Sequence, residues 1–397
     1  MVNFSLRLSH WRCGFIPGDQ GAGPSNIWPM KSDSLPFRPA ASRPRLLVDV
    51  LLLTLALLVS STVPTFAAPQ RGRQDTRSVT TPPTGSIERL RGALVVIAQR
   101  FPGDVGVYVH HIESGMGTGV DEDTPYGMAS TYKVPILVEL MTRVDDGDLS
   151  LYDRVEVEAE DQHIGSGLLS TLWAPGIEMS LHNMATFMII LSDNSATDML
   201  IDRLGADQIT DRMRSLGFQN IRVDRTTLEL ILNYQGVEYA PVANATLQEI
   251  NQHRRENRPD ATDILAVREA FYDGDRDKAS ARDMTELLVM ISEGTAVSRG
   301  SSEVIMEILS RTQTGANRLR GLLPPGYSIA HKTGTIGRIV NDVGVITMPG
   351  DLGRFAISVF TLGNEADTEL GEHTIAEMAR TAYDFFLFNA EVSVTGK

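Results

Sequence analysis

From residue 85 onward the chain switches between two hydrophobic rhythms. "SIERLRGALVVIAQRF" repeats apolar positions every three or four residues, with Leu90, Leu94, Ile97 and Phe101 on one face, and predicts an amphipathic helix. "DVGVYVHHIESG" alternates with period two and ends in turn residues, which predicts a strand. Residues 130–293 read mostly as helices, in segments such as "MATFMIILSD", "ATDMLIDRLG" and "ARDMTELLVMI". Strand rhythm returns in "GYSIAHKTGT", "IVNDVGVITMPG" and "GRFAISVFTLG", before a last amphipathic helix in "EHTIAEMARTAYDFFLFN". Strands at both ends around a helical block predict an α/β (α+β) fold. One antiparallel sheet is built from N- and C-terminal segments and flanked by helices, and an all-helical subdomain is inserted between them. Residues 234–276 interrupt this picture. They are polar and long for a loop, with "TDILAVREAFY" expected as a short helix inside them.

The first 84 residues follow neither rhythm. Lys31, Arg38, Arg43 and Arg45 precede the apolar run "LLVDVLLLTLALLVSSTV", and the small residues of "TFAAP" follow it. That order predicts a signal peptide over residues 1–67, or an uncleaved membrane anchor, although Asp49 interrupts the run. The first 29 residues read as unstructured, which leaves Met30 as an alternative translation start. A polar, proline-containing linker over 68–84 then leads into one domain at 85–397, and export to the periplasm or exterior is expected. The only cysteine, Cys13, lies in the leader, so the domain is expected to be held by core packing without disulfides. A net charge of −14 argues against nucleic acid and anionic membrane surfaces as partners. The eight histidines show no metal-binding spacing, so no metal and no other cofactor is expected; a monomer is the default.

Charge usage marks the candidate chemistry. The sequence holds five lysines against 31 arginines, and beyond residue 67 only Lys133, Lys278, Lys332 and Lys397 remain. Lys133 follows Ser130 by three positions in "MASTYKVPI", where a helix is expected to begin with Val134, Leu137, Met141 and Val144 on its buried side. Side chains at i and i+3 of a first turn lie side by side. A serine hydroxyl needs a base, and a desolvated lysine amine can serve where a guanidinium cannot lose its proton. Pro135 is tolerable only because it falls so near the helix start. Ser192, Asp193 and Asn194 form an S-D-N in "LSDNSATDM", and Lys332, Thr333, Gly334 and Thr335 follow in "HKTGT" on a predicted strand. Each match alone is weak. Two of three internal lysines falling in S-x-x-K and K-T-G, with S-D-N between them, make a strong set.

The set resembles the penicillin-recognising serine enzymes, most closely class A β-lactamases. The likeness runs from about Ser86 to Phe386 and includes "IGSGLL" (Ile164–Leu169) and "NDVG" (Asn341–Gly344). "ELILN" further resembles the family's E-x-x-L-N, with Glu229, Leu232 and Asn233. The resemblance implies a β-lactamase/transpeptidase-like fold and an acyl-enzyme on Ser130, with Lys133, or Glu229 through water, accepting the hydroxyl proton. It assigns the oxyanion hole to the backbone N–H groups of Ser130 and Thr335, and proton relay to Ser192 beside Lys332. Asn194 is implied to bind the substrate's side-chain amide, Thr333, Gly334 and Thr335 its carboxylate, and Glu229 with Asn233 the deacylating water. Arg225 and Asp277 match a pair closing the neck of the acidic loop. Two departures stand out: 43 residues separate Asn233 from Asp277, and Arg338 is the nearest arginine after K-T-G for the substrate carboxylate. The implied substrate is a small-molecule β-lactam; alternatives are cell-wall D-Ala-D-Ala peptides or esters, or a non-catalytic cell-wall binder on the same fold.

Overall fold

A computed structural model describes residues 85–363 and 368–389. The expected leader, the 68–84 linker and Cys13 lie outside the described residues.

Nine strands are present among the described residues: β1 Asp104–His111, β2 Met116–Val120, β3 Pro125–Gly127, β4 Arg154–Val157, β5 Ile177–Ser180, β6 Lys278–Ser280, β7 Ser328–Ile336, β8 Ile339–Thr347 and β9 Arg354–Leu362. Five form the main sheet in the order β2-β1-β9-β8-β7, every neighbour antiparallel. β1 pairs with β9, so the two ends of the sequence close into one sheet as the hydrophobic rhythm predicted. The pleat then assigns alternate residues to opposite cores. Val107 and Val109 of β1 face the core made by α1 (Gly85–Arg100) and α11 (Thr368–Asn389), together with Leu90, Leu94, Ile97 and Phe101. Tyr108, between them, faces the larger helical core.

That larger core is built by α2 (Lys133–Asp145), α3 (Leu181–Ile190), α4 (Asn194–Leu204), α5 (Ala206–Ser215), and, later in the chain, α9 (Ala281–Glu293) and α10 (Arg299–Ser310). α2 is buried along its first ten residues, Val134, Leu137 and Met141 included, whereas Val144 is only partly covered. Burying each such aliphatic side chain contributes about 1.5–3 kcal/mol against exposure.

Between α5 and α9 the chain forms α6 (Thr227–Tyr234), α7 (Leu247–Glu256) and α8 (Ala261–Asp273). The polar stretch 234–276 is therefore more ordered than its composition predicts. α8 contains the expected short helix, but α7 was not foreseen; it starts in a capping box between Thr246 and Glu249. The stretch is anchored on the tip of the β7–β8 hairpin. Tyr272 Oη accepts from the Arg338 backbone N–H at 3.1 Å, and the Arg338 guanidinium stacks over the Tyr272 ring at 4.3 Å. Gly337 has φ of 51°, and a Cβ there would meet the Tyr272 and Tyr234 hydroxyls at 2.1 and 2.5 Å. Only glycine fits that turn against those rings.

Candidate active site

Ser130 lies in a 3₁₀ turn, Ala129–Tyr132, that runs straight into α2, whose first residue is Lys133. The turn is fixed from several directions. The Met128 N–H donates to Asp277 O at 2.9 Å, and Asn341 Nδ2 on β8 donates to the carbonyls of Gly127 and Met128 at 2.8 and 3.0 Å. β7 packs against it through Gly334, where a Cβ would stand 2.4 Å from Met128 O and 3.1 Å from Ser130 N. The glycine of K-T-G is thus required by the close approach of two backbones. Ala129 takes a φ of 46°, Ser192 of 56° and Asp277 of 51°. Among the described residues, three of the four non-glycine residues in this left-handed region border the site, a strain that surrounding structure must hold in place.

The two lysines converge on Ser192. Lys133 Nζ donates to Ser192 O (2.8 Å), Ser192 Oγ (3.1 Å) and Asn194 Oδ1 (3.0 Å). Lys332 Nζ donates to the same Ser192 Oγ (3.1 Å) and to Thr333 O (2.8 Å). Both side chains are fully buried. Burial pushes the Lys133 amine down to about 7, against the opposing charges of Asp198 and Asp193. Burial, then the like charge of Lys133, holds Lys332 well below the usual lysine range. Two desolvated amines beside one hydroxyl favour losing a proton, which a cationic pair in water would not do. A hydroxyl accepts and donates at once. Ser192 can therefore accept from one ammonium and donate to the other, neutral amine.

The S-D-N segment is itself locked. Asp193 caps α4 at the Ala196 N–H (3.0 Å) and accepts from the Leu168 and Leu169 N–H groups (2.6 and 2.9 Å), tying down "IGSGLL". Ser166 donates to Ser192 O at 2.6 Å, and Asn194 Nδ2 to Ile164 O at 3.0 Å. On the strand side, the Thr333 hydroxyl is paired with Thr314 Oγ1 at 2.7 Å, while Thr335 is exposed at the cleft edge.

Four expectations need correction. Ser130 and Lys133 share a turn, but the amine is hydrogen-bonded to Ser192 and Asn194, and among the described residues no hydrogen bond joins it to the Ser130 hydroxyl. Lone-pair acceptors on the S-D-N segment are the closer partners; catalytic contacts often tighten only with substrate bound. Arg338 is turned into the inserted stretch, paired with Glu269 at 2.8 Å. The arginine beside Thr335 is Arg318, which donates to Thr335 Oγ1 (2.7 Å), Gly334 O (3.0 Å) and Asn341 O (2.8 Å). Thirdly, Glu229 is paired with an arginine. Its carboxylate accepts from Arg276 Nη2 at 2.8 Å, and the charges acting on Lys133 are those of Asp198 and Asp193 instead. Finally, Asn233 Oδ1 accepts from Arg225 at 2.6 Å, next to the 2.5 Å pair of Arg225 with Asp277. Glu229 and Asn233 are both engaged at the neck of the loop.

Sequence reasoning missed Arg318, Arg276 and Asp198. Asp198 is fully buried on α4 and accepts from the N–H groups of Thr227 (2.6 Å) and Leu228 (2.9 Å) and from His163 Nδ1 (2.7 Å). Burial works against a charged His163, but the bond to Asp198 and its charge outweigh this and raise the His163 pKa. An acid four residues after Asn194, one turn along the same helix face, was the available signal for Asp198. Nothing in the sequence marks Arg318 among 31 arginines.

A serine one turn from a buried lysine, a second buried lysine on the edge strand of the sheet and a serine hydroxyl between the two amines are the parts of a serine hydrolase. The comparisons agree. Residues 89–386 match the model of the Beta-lactamase enzyme family, and the chain belongs to that family, a group of serine enzymes that act on cyclic amides. It is 24% identical over 297 residues to β-lactamase VEB-1 of Pseudomonas aeruginosa, covering 71% of this chain and 85% of that one. Its fold resembles the β-lactamase of Sphaerobacter thermophilus DSM 20745 (27% identity, TM-score 0.59, 75% of this chain and 97% of that one). It also resembles PBP-A (25% identity, TM-score 0.60, 78% and 100%), of which a mutant was solved as an acyl-enzyme complex with penicillin G.

Proposed function

We propose that this chain is an exported serine enzyme that opens β-lactam rings by forming an ester between the ring carbonyl and Ser130. The observation that carries this is the Ser192 hydroxyl, 3.1 Å from both buried amines. The Ser130 oxygen attacks the amide carbon as its proton passes to the neutral Lys133 amine. Ser192, beside Lys332, delivers a proton to the departing ring nitrogen. The oxyanion is met by the N–H groups of Ser130 and Thr335, each such donor lowering the barrier by about 3 kcal/mol. The Arg318 guanidinium, through Thr335, favours a substrate carboxylate at the open end of β7, with Thr333 and Gly334 beside it. Asn194 faces the substrate's amide side chain.

A second reading is favoured by one observation, the engagement of Glu229 with Arg276. The same acylation chemistry then serves D-Ala-D-Ala peptides or esters of the cell wall, for which fast release of a β-lactam acid is not needed. Export rests on the leader-like residues 1–67, and a membrane association follows only where that segment is kept as an anchor. The test is peptide mapping by mass after exposure to penicillin G. The expected result is the mass of the opened drug on the peptide containing Ser130, absent in Ser130→Ala. Labelling elsewhere, or none, would refute the assignment.

A further inference from the structure

In the E-x-x-L-N pattern the acid and the amide are four residues apart, so they share one face of a helix. α6 keeps that spacing for Glu229 and Asn233, but both side chains point to the guanidinium groups of Arg276 and Arg225. Successive residues of an α-helix are turned by about 100°, so a shift of two positions turns a side chain by about 200°, to the far side. The residues two positions earlier, Thr227 and Ile231, are also four apart, and they lie on the face turned to Asn194. Thr227 is buried, and its hydroxyl donates to Asn194 O at 3.3 Å. Ile231 Cδ1 and Asn194 Nδ2 both border Gly165, where a Cβ would lie 3.0 and 2.3 Å from them. Asn194 in turn accepts from Lys133.

The phase of the helix is fixed by buried contacts. Asp198 binds the N–H groups of Thr227 and Leu228, Thr226 caps the helix at the Glu229 N–H, and Leu228 and Leu232 sit in a separate apolar cluster with Ile164, Val237, Val242 and Ile250. Rotating α6 to bring Glu229 inward would break all of these and bury its carboxylate away from Arg276.

We propose that Thr227 and Ile231, not Glu229 and Asn233, occupy the positions facing the ester on Ser130, and that residue 227 sets the lifetime of the acyl-enzyme. This rests on the acylation reading above. Hydrolysis of the ester needs a water whose oxygen bonds to the acyl carbon while one of its protons passes to a base. The bond to Ser130 Oγ then breaks, and that oxygen recovers a proton as the acid leaves. A threonine hydroxyl and an isoleucine side chain supply no such base and no polar partner for the water. The ester is therefore long-lived.

The experiment follows intact mass after penicillin G is added and then removed. For the parent, the adduct is expected to outlast its own formation by at least about a hundredfold. In Glu229→Gln the lifetime is expected to stay within about threefold of the parent. In Thr227→Glu combined with Ile231→Asn, deacylation is expected to accelerate by about a hundredfold or more, with the acylation rate changed far less. A parent that consumes many equivalents of drug without holding an adduct, together with a Glu229→Gln variant that traps one, would overturn the inference. The Glu229→Gln comparison decides the matter even where a buried glutamate at 227 unfolds the double variant. A parent that never forms a Ser130 adduct removes the acylation reading itself, and this inference falls with it.

Discussion

The acylation centre and the loop from Arg225 to Asp277 use the same devices with opposite outcomes. In the centre, Ser130, Lys133, Ser192 and Lys332 come from three distant segments, yet backbone contacts bring the two amines to one hydroxyl. In the loop, Glu229 and Asn233 are four residues apart on one helix, and the helix turns both to arginines. Long-range backbone packing, set by Gly334, Asn341 and Asp193, fixes where the first group points. Helix phase fixes the second, and nothing in the local spacing encodes it. On the proposed function, the difference separates two steps of one reaction: forming the ester and releasing it.

Substitutions can strain that comparison. The largest effect is expected at Asp198, which ties α4 in the centre to the first turn of α6 in the loop. Asp198→Ala leaves two buried N–H groups and a buried imidazole without their acceptor and is expected to cost about 3–5 kcal/mol of stability. Urea denaturation measures this, while Ser130 remains open to labelling at low denaturant. Loss of labelling with unchanged stability would show that the two regions are not separable in this way. Gly334→Ala comes next. Its methyl group collides with the Met128 carbonyl, displaces β7 from the Ser130 turn, and is expected to slow acylation about a hundredfold with little change in adduct lifetime. Pre-steady-state acylation rates read it.

Arg318→Ala removes the cation beside Thr335 and is expected to raise KM about 10- to 100-fold for substrates bearing a carboxylate. Methyl-ester analogues of the same substrates lose far less. The smallest effect per step is on pH. Proton acceptance needs the Lys133 amine neutral, a form that predominates above about 7. The acylation rate constant should thus fall about tenfold for each unit of pH below 7 and level off above it. A profile flat from pH 5 to 8 would exclude Lys133 as the acceptor.

Much of the centre was legible in the sequence because its residue types are rare here. Lys133 and Lys332 stand out in a chain that otherwise chooses arginine, and each sits in a motif whose neighbours make structural sense. The sheet was legible because β1, β7, β8 and β9 keep period two with one face on each core. The loop was not, for two reasons. α7 and α8 bury almost nothing, Ile250 in one and Tyr272 in the other, so they leave no apolar stripe to read. The E-x-x-L-N match survives any rotation of α6 about its axis, so a correct spacing carried no information on which face meets Lys133. Arg318 was hidden for a third reason: its role follows from the close pairing of β7 and β8, not from anything near it in the chain.

The claim that these two regions divide the reaction is tested most directly by stopped-flow mixing of the parent protein with a chromogenic cephalosporin. A burst of about one equivalent per active site, followed by a steady phase at least about a hundred times slower, is the predicted trace. Linear turnover from the first moment, with no burst, would contradict it.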